Sequence, residues 1–220
     1  MAKNASDEAL VTAVLESDVD AAAAALAQGA SPSARDDEGE SVLTLAVSEG
    51  EVELARLLIK HGADTPDPES GWTGLFLAAQ AGEPEILELF LRREPDVDHR
   101  DWNRRTALHV AAAEGSAEII EPLISAGFSV HARDSDDATP LLVACQHGEL
   151  DIAQSLLALG APADDADKEK TTPLMRAAGL GYGDLVRSLL KAGANRAAVD
   201  SKGRTAADHT RNEAVHQLLS

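Results

Sequence analysis

The sequence predicts an all-α solenoid of stacked helix–turn–helix units, and three observations predict it. The first is a period: the stretch DWNRRTALHVAAAEGSAEIIEPLISAGFSVHAR, residues 101–133, realigns along the chain at a step of 33 residues. Asp101, Asp134, Asp167 and Asp200 open four units, with Thr106, Thr139, Thr172 and Thr205 at the same offset. Gly82, Gly115, Gly148 and Gly181 mark one turn, and Gly127, Gly160 and Gly193 mark another. The second observation is that each period carries two helix starts and two helix stops. The third is composition: 44% of the chain is hydrophobic but only 3% is aromatic, which suits alanine-rich helix stacking better than a core built on large rings.

The elements follow in order within a unit. Thr139-Pro140 and Thr172-Pro173 pair a capping hydroxyl with a proline whose missing N–H costs nothing at the first helical position, so a first helix starts there. In the central unit Leu108, Ala111 and Ala112 form its apolar side, and Gly115 permits the turn that ends it. Ile119, Ile120, Leu123 and Ile124 give a second, amphipathic helix that stops before Gly127. A short loop without helical pattern, suited to a turn or finger, leads into the next unit.

Along the chain the predicted units are 3–35 as an N-terminal cap, 36–67, 68–100, 101–133, 134–166, 167–199, and 200–220 as a C-terminal cap, all within one domain. In the first, Ser6-Asp7-Glu8 is expected to cap a helix carrying Leu10 and Val14. The second places Leu43, Ala46, Leu54, Leu57 and Leu58 inside and has an acidic finger, Asp36 to Glu40. The third departs most, through a one-residue deletion within 64–68, Pro66, Pro68, and Glu94-Pro95 in place of Gly-Ala. The fourth has Pro122 inside its second helix, where it is expected to bend the helix. Arg104, Asp137 and Lys170 replace the finger glycine of three successive units, so strained or altered tips are expected.

The pattern Asp-x-x-Gly-x-Thr-Pro-Leu-His-x-Ala-Ala-x-x-Gly, followed by a helix ending Leu-Leu-x-x-Gly-Ala, resembles that of ankyrin repeats. RTALHVAAAEG, ATPLLVACQHG and TTPLMRAAGLG match its core, and the resemblance covers almost the whole chain. It implies an ankyrin-repeat solenoid with projecting β-hairpin or loop fingers, whose units need neighbours and capped ends to bury their apolar faces. It also implies protein binding through fingertips and the exposed side of each first helix. Carried over position by position, that gives Trp72, Trp102, Asn103, Arg104 and Arg105 on fingers, with Phe76, Gln80, Glu114, His147 and Arg176 on first helices. Trp72, Phe76, Trp102, Arg104 and Arg105 are read as one contact patch, because tryptophan and arginine dominate binding hot spots. The competing reading is that the two indoles cover the proline-disturbed finger.

The net charge of −19 disfavours nucleic acid and anionic lipid as partners. It is uneven: residues 1–70 hold four basic against fifteen acidic side chains, while residues 92–105 contain five arginines. One cysteine, Cys145, excludes an intramolecular disulfide framework. The chain shows no charged-then-apolar leader, and the alanine run 21–27 is too short for a membrane span, so a cytoplasmic location is expected; a monomer is expected as well.

Catalysis finds no constellation. His109 fills the repeat's own Thr-x-Leu-His slot, and Cys145 reads as a small packed residue. His99, His131 and His147 lack the paired spacing of a zinc site, and Gly179 to Gly183 lies in an inter-helix turn and not in a phosphate loop. The expectation is a non-catalytic module without cofactor or metal that binds a partner protein, itself basic if charge guides the encounter. The alternative is an acidic inhibitor or immunity-type protein that masks a basic enzyme or toxin.

Overall fold

Hydrophobic periodicity and capping chemistry produce successive pairs of short helices, seen in a computed structural model that describes residues 4–63, 72–93 and 95–220. The chain forms two compact units, residues 1–96 and 97–220. The first holds α1 (Ala5–Leu15), α2 (Val19–Ala27), α3 (Val42–Ser48), α4 (Val52–Lys60), α5 (Gly74–Ala81) and α6 (Pro84–Leu91). The second holds α7 (Ala107–Glu114), a 3-10 turn (Ala117–Ile119), α8 (Ile120–Ser125), α9 (Pro140–His147), α10 (Leu150–Ala158), α11 (Pro173–Leu180), α12 (Gly183–Lys191), α13 (Ala206–His209) and α14 (Glu213–Leu219). Among the described residues the only β pairing is an isolated antiparallel bridge between Arg35 and Ser41.

Within each unit the first helix of every repeat packs on the first helix of the next, and second helices do the same. One row of the larger unit is α7, α9, α11 and α13; the other is α8, α10, α12 and α14. Small residues make the first row possible. Ala111, Ala144 and Ala177 recur at the 33-residue step, as do Ala112, Cys145 and Ala178, and all six are fully buried. The larger side chains lie between the rows: Leu108, Ile119, Ile120 and Leu123 in one repeat, Leu141, Ile152 and Leu156 in the next. Burying each of these contributes about 1.5–3 kcal/mol. In the smaller unit Leu10, Leu54, Leu58, Ile86 and Phe90 do the same work.

The caps follow the expected chemistry with one correction. Thr139 and Thr172 accept hydrogen bonds from the backbone N–H groups of Leu142 and Met175, with proline at the first helical position. At the start of α1 the cap is Asn4, not Ser6: its side chain accepts the Ser6 N–H. Asp7 instead accepts the N–H of Ser31, 2.7 Å away, tying the helix to the loop after α2. Pro122 acts as expected in kind. The second helix of its repeat is split into a 3-10 turn and the six-residue α8, so the missing N–H falls in a first turn, where no intrahelical donor is needed. The irregularities expected at 64–68 and Glu94 lie outside the described residues.

The inter-helix turns interlock between repeats. Gly148 sits at φ 84°, and a Cβ added there would lie 2.8 Å from the Tyr182 ring of the next repeat. Gly160 has a similar φ, 93°, but open space around it. Gly148→Ala is therefore expected to cost about 2–3 kcal/mol in urea unfolding, and Gly160→Ala only the conformational part, about 1 kcal/mol. Equal losses would show that Tyr182 yields without cost.

Candidate protein-binding site

Each finger is organised by an aspartate. In the five fingers opened by Asp36, Asp101, Asp134, Asp167 and Asp200, the aspartate N–H donates to the carbonyl four residues on, at 2.9–3.2 Å. Its Oδ1 accepts the N–H groups two and four residues on, as at Asn103 and Arg105 from Asp101 or Lys202 and Arg204 from Asp200. The result is a three-residue hairpin whose third loop residue is left-handed. That residue is Gly39 or Gly203 in two fingers, but Arg104, Asp137 and Lys170 in the others, at φ 58°, 59° and 58°. The sequence-based expectation of strained tips is met: a left-handed non-glycine costs about 1–2 kcal/mol.

Basic groups clamp the second carboxylate oxygen. Arg105 Nε lies 2.8 Å from Asp101 Oδ2, and Arg204 Nε lies 2.9 Å from Asp200 Oδ2. Arg176 and His209, one repeat apart in the same slot, donate to Asp167 and Asp200 at 3.1 and 3.0 Å. The Asp200 carboxyl is held well below the usual carboxylate range, first by the Arg204 backbone N–H, while burial opposes the shift. Successive fingers of the larger unit are also joined tip to tip. Ser135 N–H donates to the Asn103 carbonyl, Lys168 N–H to that of Asp136, and Ser201 N–H to that of Glu169, at 2.8–3.0 Å.

Against this frame the residues predicted from sequence separate. Trp102, Asn103 and Arg104 are exposed on one fingertip, with Trp102 71% exposed. Gln80, Glu114 and His147 are exposed on α5, α7 and α9. Phe76 is a correction: it is 1% exposed, because residue 76 lies 33 positions before His109 and fills the same buried slot after the helix cap. Trp72 is half-buried, its ring 6.0 Å from that of Phe76 and tilted by 46°. Trp72 and Phe76 belong to the smaller unit and Trp102, Arg104 and Arg105 to the larger. Arg105 and Arg176 are half-buried finger clamps in place of the free contact residues expected. The sequence reading did not single out the organising role of the repeated aspartates, although their period was its first observation, nor the exposure of Tyr182 and Val199.

The buried titratable groups are structural. His109 is fully buried; its Nδ1 accepts the Thr106 N–H at 3.2 Å, so Nε2 carries the proton and donates to the Ala138 carbonyl of the next repeat at 3.1 Å. Burial pushes the Cys145 thiol up to about 12, which disfavours the thiolate a nucleophile needs. Among the described residues no group of three or more His, Cys, Asp or Glu side chains is placed to hold a metal ion, and no helix is long and apolar enough to cross a membrane.

Comparison with known proteins gives this geometry its family. The model described as ankyrin repeats (3 copies) matches residues 10–101, 65–134, 108–200 and 141–220. A putative ankyrin repeat-containing protein of Treponema pallidum is 34% identical over 104 residues, 46% of this chain and 35% of that protein. The Notch-regulated ankyrin repeat-containing protein B of Danio rerio is 39% identical over 57 residues, 26% of this chain and 51% of that protein. The chain thus spans about a third to a half of the length of these relatives. Among solved structures, the ankyrin repeat domain of Bcl-3, described as a unique member of the IkappaB protein family, superposes with a TM-score of 0.79 at 26% identity, covering 96% of this chain and 97% of that one. Ankyrin repeats are generally protein–protein interaction modules, and their fold is typically non-catalytic. With the 33-residue period, the two helix rows and the aspartate-built fingers, these matches place the chain in the ankyrin-repeat family.

Proposed function

We propose that this chain is a non-catalytic module that binds a partner protein through the fingers of residues 97–220, with Trp102 as the anchor. The observation that carries this reading is the 71% exposure of an indole in a chain with only two tryptophans, at a fingertip the fold does not need it to fill. An exposed tryptophan flanked by polar groups is the composition of a binding hot spot. Asn103 and Arg104 stand beside it, and Glu114 and His147 line the exposed side of α7 and α9.

The charge supports a basic partner and, as a second reading, an inhibitor that masks a basic enzyme. Residues 1–96 carry six basic and twenty acidic side chains, net −14, whereas residues 97–220 carry thirteen and eighteen, net −5. An excess concentrated in one unit steers a cationic partner and speeds encounter more than it tightens the final contact. On this reading association slows steeply as salt rises while dissociation changes little.

Affinity capture from host lysate tests the anchor. Wild-type chain is expected to retain a partner that Trp102→Ala loses by about tenfold or more, with unchanged helicity. Equal retention by both proteins would remove Trp102 from the site.

A further inference from the structure

Three successive fingers hold a charged side chain where the backbone is left-handed, at Arg104, Asp137 and Lys170. Asp36 and Asp200 head the two fingers that place glycine there instead, Gly39 and Gly203. Nothing in the hairpin asks for these side chains. The aspartate carboxylate and the backbone bonds close every finger alike, whatever the third loop residue is. Among the described residues none of the three side chains has a hydrogen-bond or ion-pair partner, although charged neighbours such as Arg105, Arg133 and Lys168 are all engaged. Strain retained at consecutive positions, by side chains the fold leaves unused, points to a role outside the fold.

The charges run positive, negative, positive. Their spacing follows from the tip-to-tip bonds, because each finger contributes two chain segments at strand separation, which gives a repeat of roughly 10 Å. An extended chain in the polyproline II conformation rises about 3.1 Å per residue with three residues per turn, so every third side chain returns to the same face after roughly one finger. We propose that Arg104, Asp137 and Lys170 read an extended peptide segment of the partner that carries acidic, basic and acidic residues at every third position. The pattern is the same in both chain directions, so it fixes register and leaves polarity to Trp102, which receives an apolar side chain at the Arg104 end. The inference rests on the fingers being the binding face.

Two labelled peptides test it at low ionic strength: Leu-Glu-Ser-Ser-Lys-Ser-Ser-Glu-Leu and its charge-inverted counterpart Leu-Lys-Ser-Ser-Glu-Ser-Ser-Lys-Leu. Each is titrated against wild type and against the triple variant Arg104→Glu, Asp137→Lys, Lys170→Glu, with folding checked by helicity. Each exposed ion pair changes affinity about 1.5–5-fold, so the ratio of affinities for the two peptides is expected to shift by about tenfold or more between the proteins, towards the inverted peptide for the variant. A ratio that does not move, or no binding of either peptide by either protein, overturns the proposal. A second variant, Arg104→Gly, Asp137→Gly, Lys170→Gly, is expected to unfold at higher urea than wild type while losing the peptide preference. Retained preference in that variant would equally overturn it. If capture from lysate still depends on Trp102 while the peptides fail, the binding face stands and only the charge register falls.

Discussion

Phe76→Ala is expected to lower the unfolding free energy by about 3–5 kcal/mol, the cost of emptying a buried aromatic site. The ring is 1% exposed on α5, three residues after the Thr73 cap, and it supports the tilted indole of Trp72. Removing it both opens a cavity and leaves Trp72 without its ring contact. Trp102→Ala is expected to stay within about 0.5 kcal/mol of wild type, because an exposed side chain leaves no cavity behind. Urea unfolding of the two variants separates a core aromatic from a contact aromatic. If Phe76→Ala were neutral in stability and lost partner capture, the original assignment of Phe76 to the contact patch would return.

The second large effect is a loss of stability in mild acid that His109 sets. Desolvation lowers its pKa from 6.5 to about 4; the Ala138 carbonyl and Asp134 oppose the shift, while Arg100 and Arg105 add to it. Above pH 6.5 the ring is neutral in folded and unfolded chains alike, and its stabilisation is complete. As the pH falls below 6.5 the unfolded chain takes up a proton that the folded chain cannot, so stability drops. By about pH 4.5 the loss from this group reaches about 2–3 kcal/mol. His109→Leu, the residue found one repeat on at Leu142, removes the titration, although it also gives up the bond to Ala138. The stability difference between pH 7 and 4.5 should therefore be about 2–3 kcal/mol smaller in the variant than in wild type. Parallel pH profiles for the two proteins would show that another group governs the acid transition.

The repeat, its helices and its caps were legible because they rest on local chemistry: threonine and proline at helix starts, glycine at left-handed ends, and apolar spacing on each helix. Even the division of labour at position 76 was in reach, since the 33-residue step aligns it with His109. Its position on a first helix beside a tryptophan draws Phe76 into the contact patch, and register arithmetic overrules that. Arg105 and Arg176 could not be sorted from sequence in the same way. Whether a long cation is free or bound depends on an aspartate four or nine residues away, and only the hairpin and the helix that follows bring the two together. At α1 the cap is Asn4, whose side chain accepts the Ser6 N–H, while Asp7 is engaged by Ser31, a contact 24 residues distant that no local pattern announces. Trp102 was found because the repeat has no use for an indole at that position, and its exposure agrees with that logic.

The aspartate that closes each finger has a consequence for how such a surface changes over generations. The carboxylate accepts the same two N–H groups whether the third loop residue is glycine, arginine, aspartate or lysine. The shape of the tip is thereby insulated from the identity of the side chain displayed on it. A single-codon change at that residue can alter what the finger presents while disturbing the hairpin by little more than the left-handed strain, about 1–2 kcal/mol at most. Lineages can therefore explore new surfaces one finger at a time without passing through unfolded intermediates.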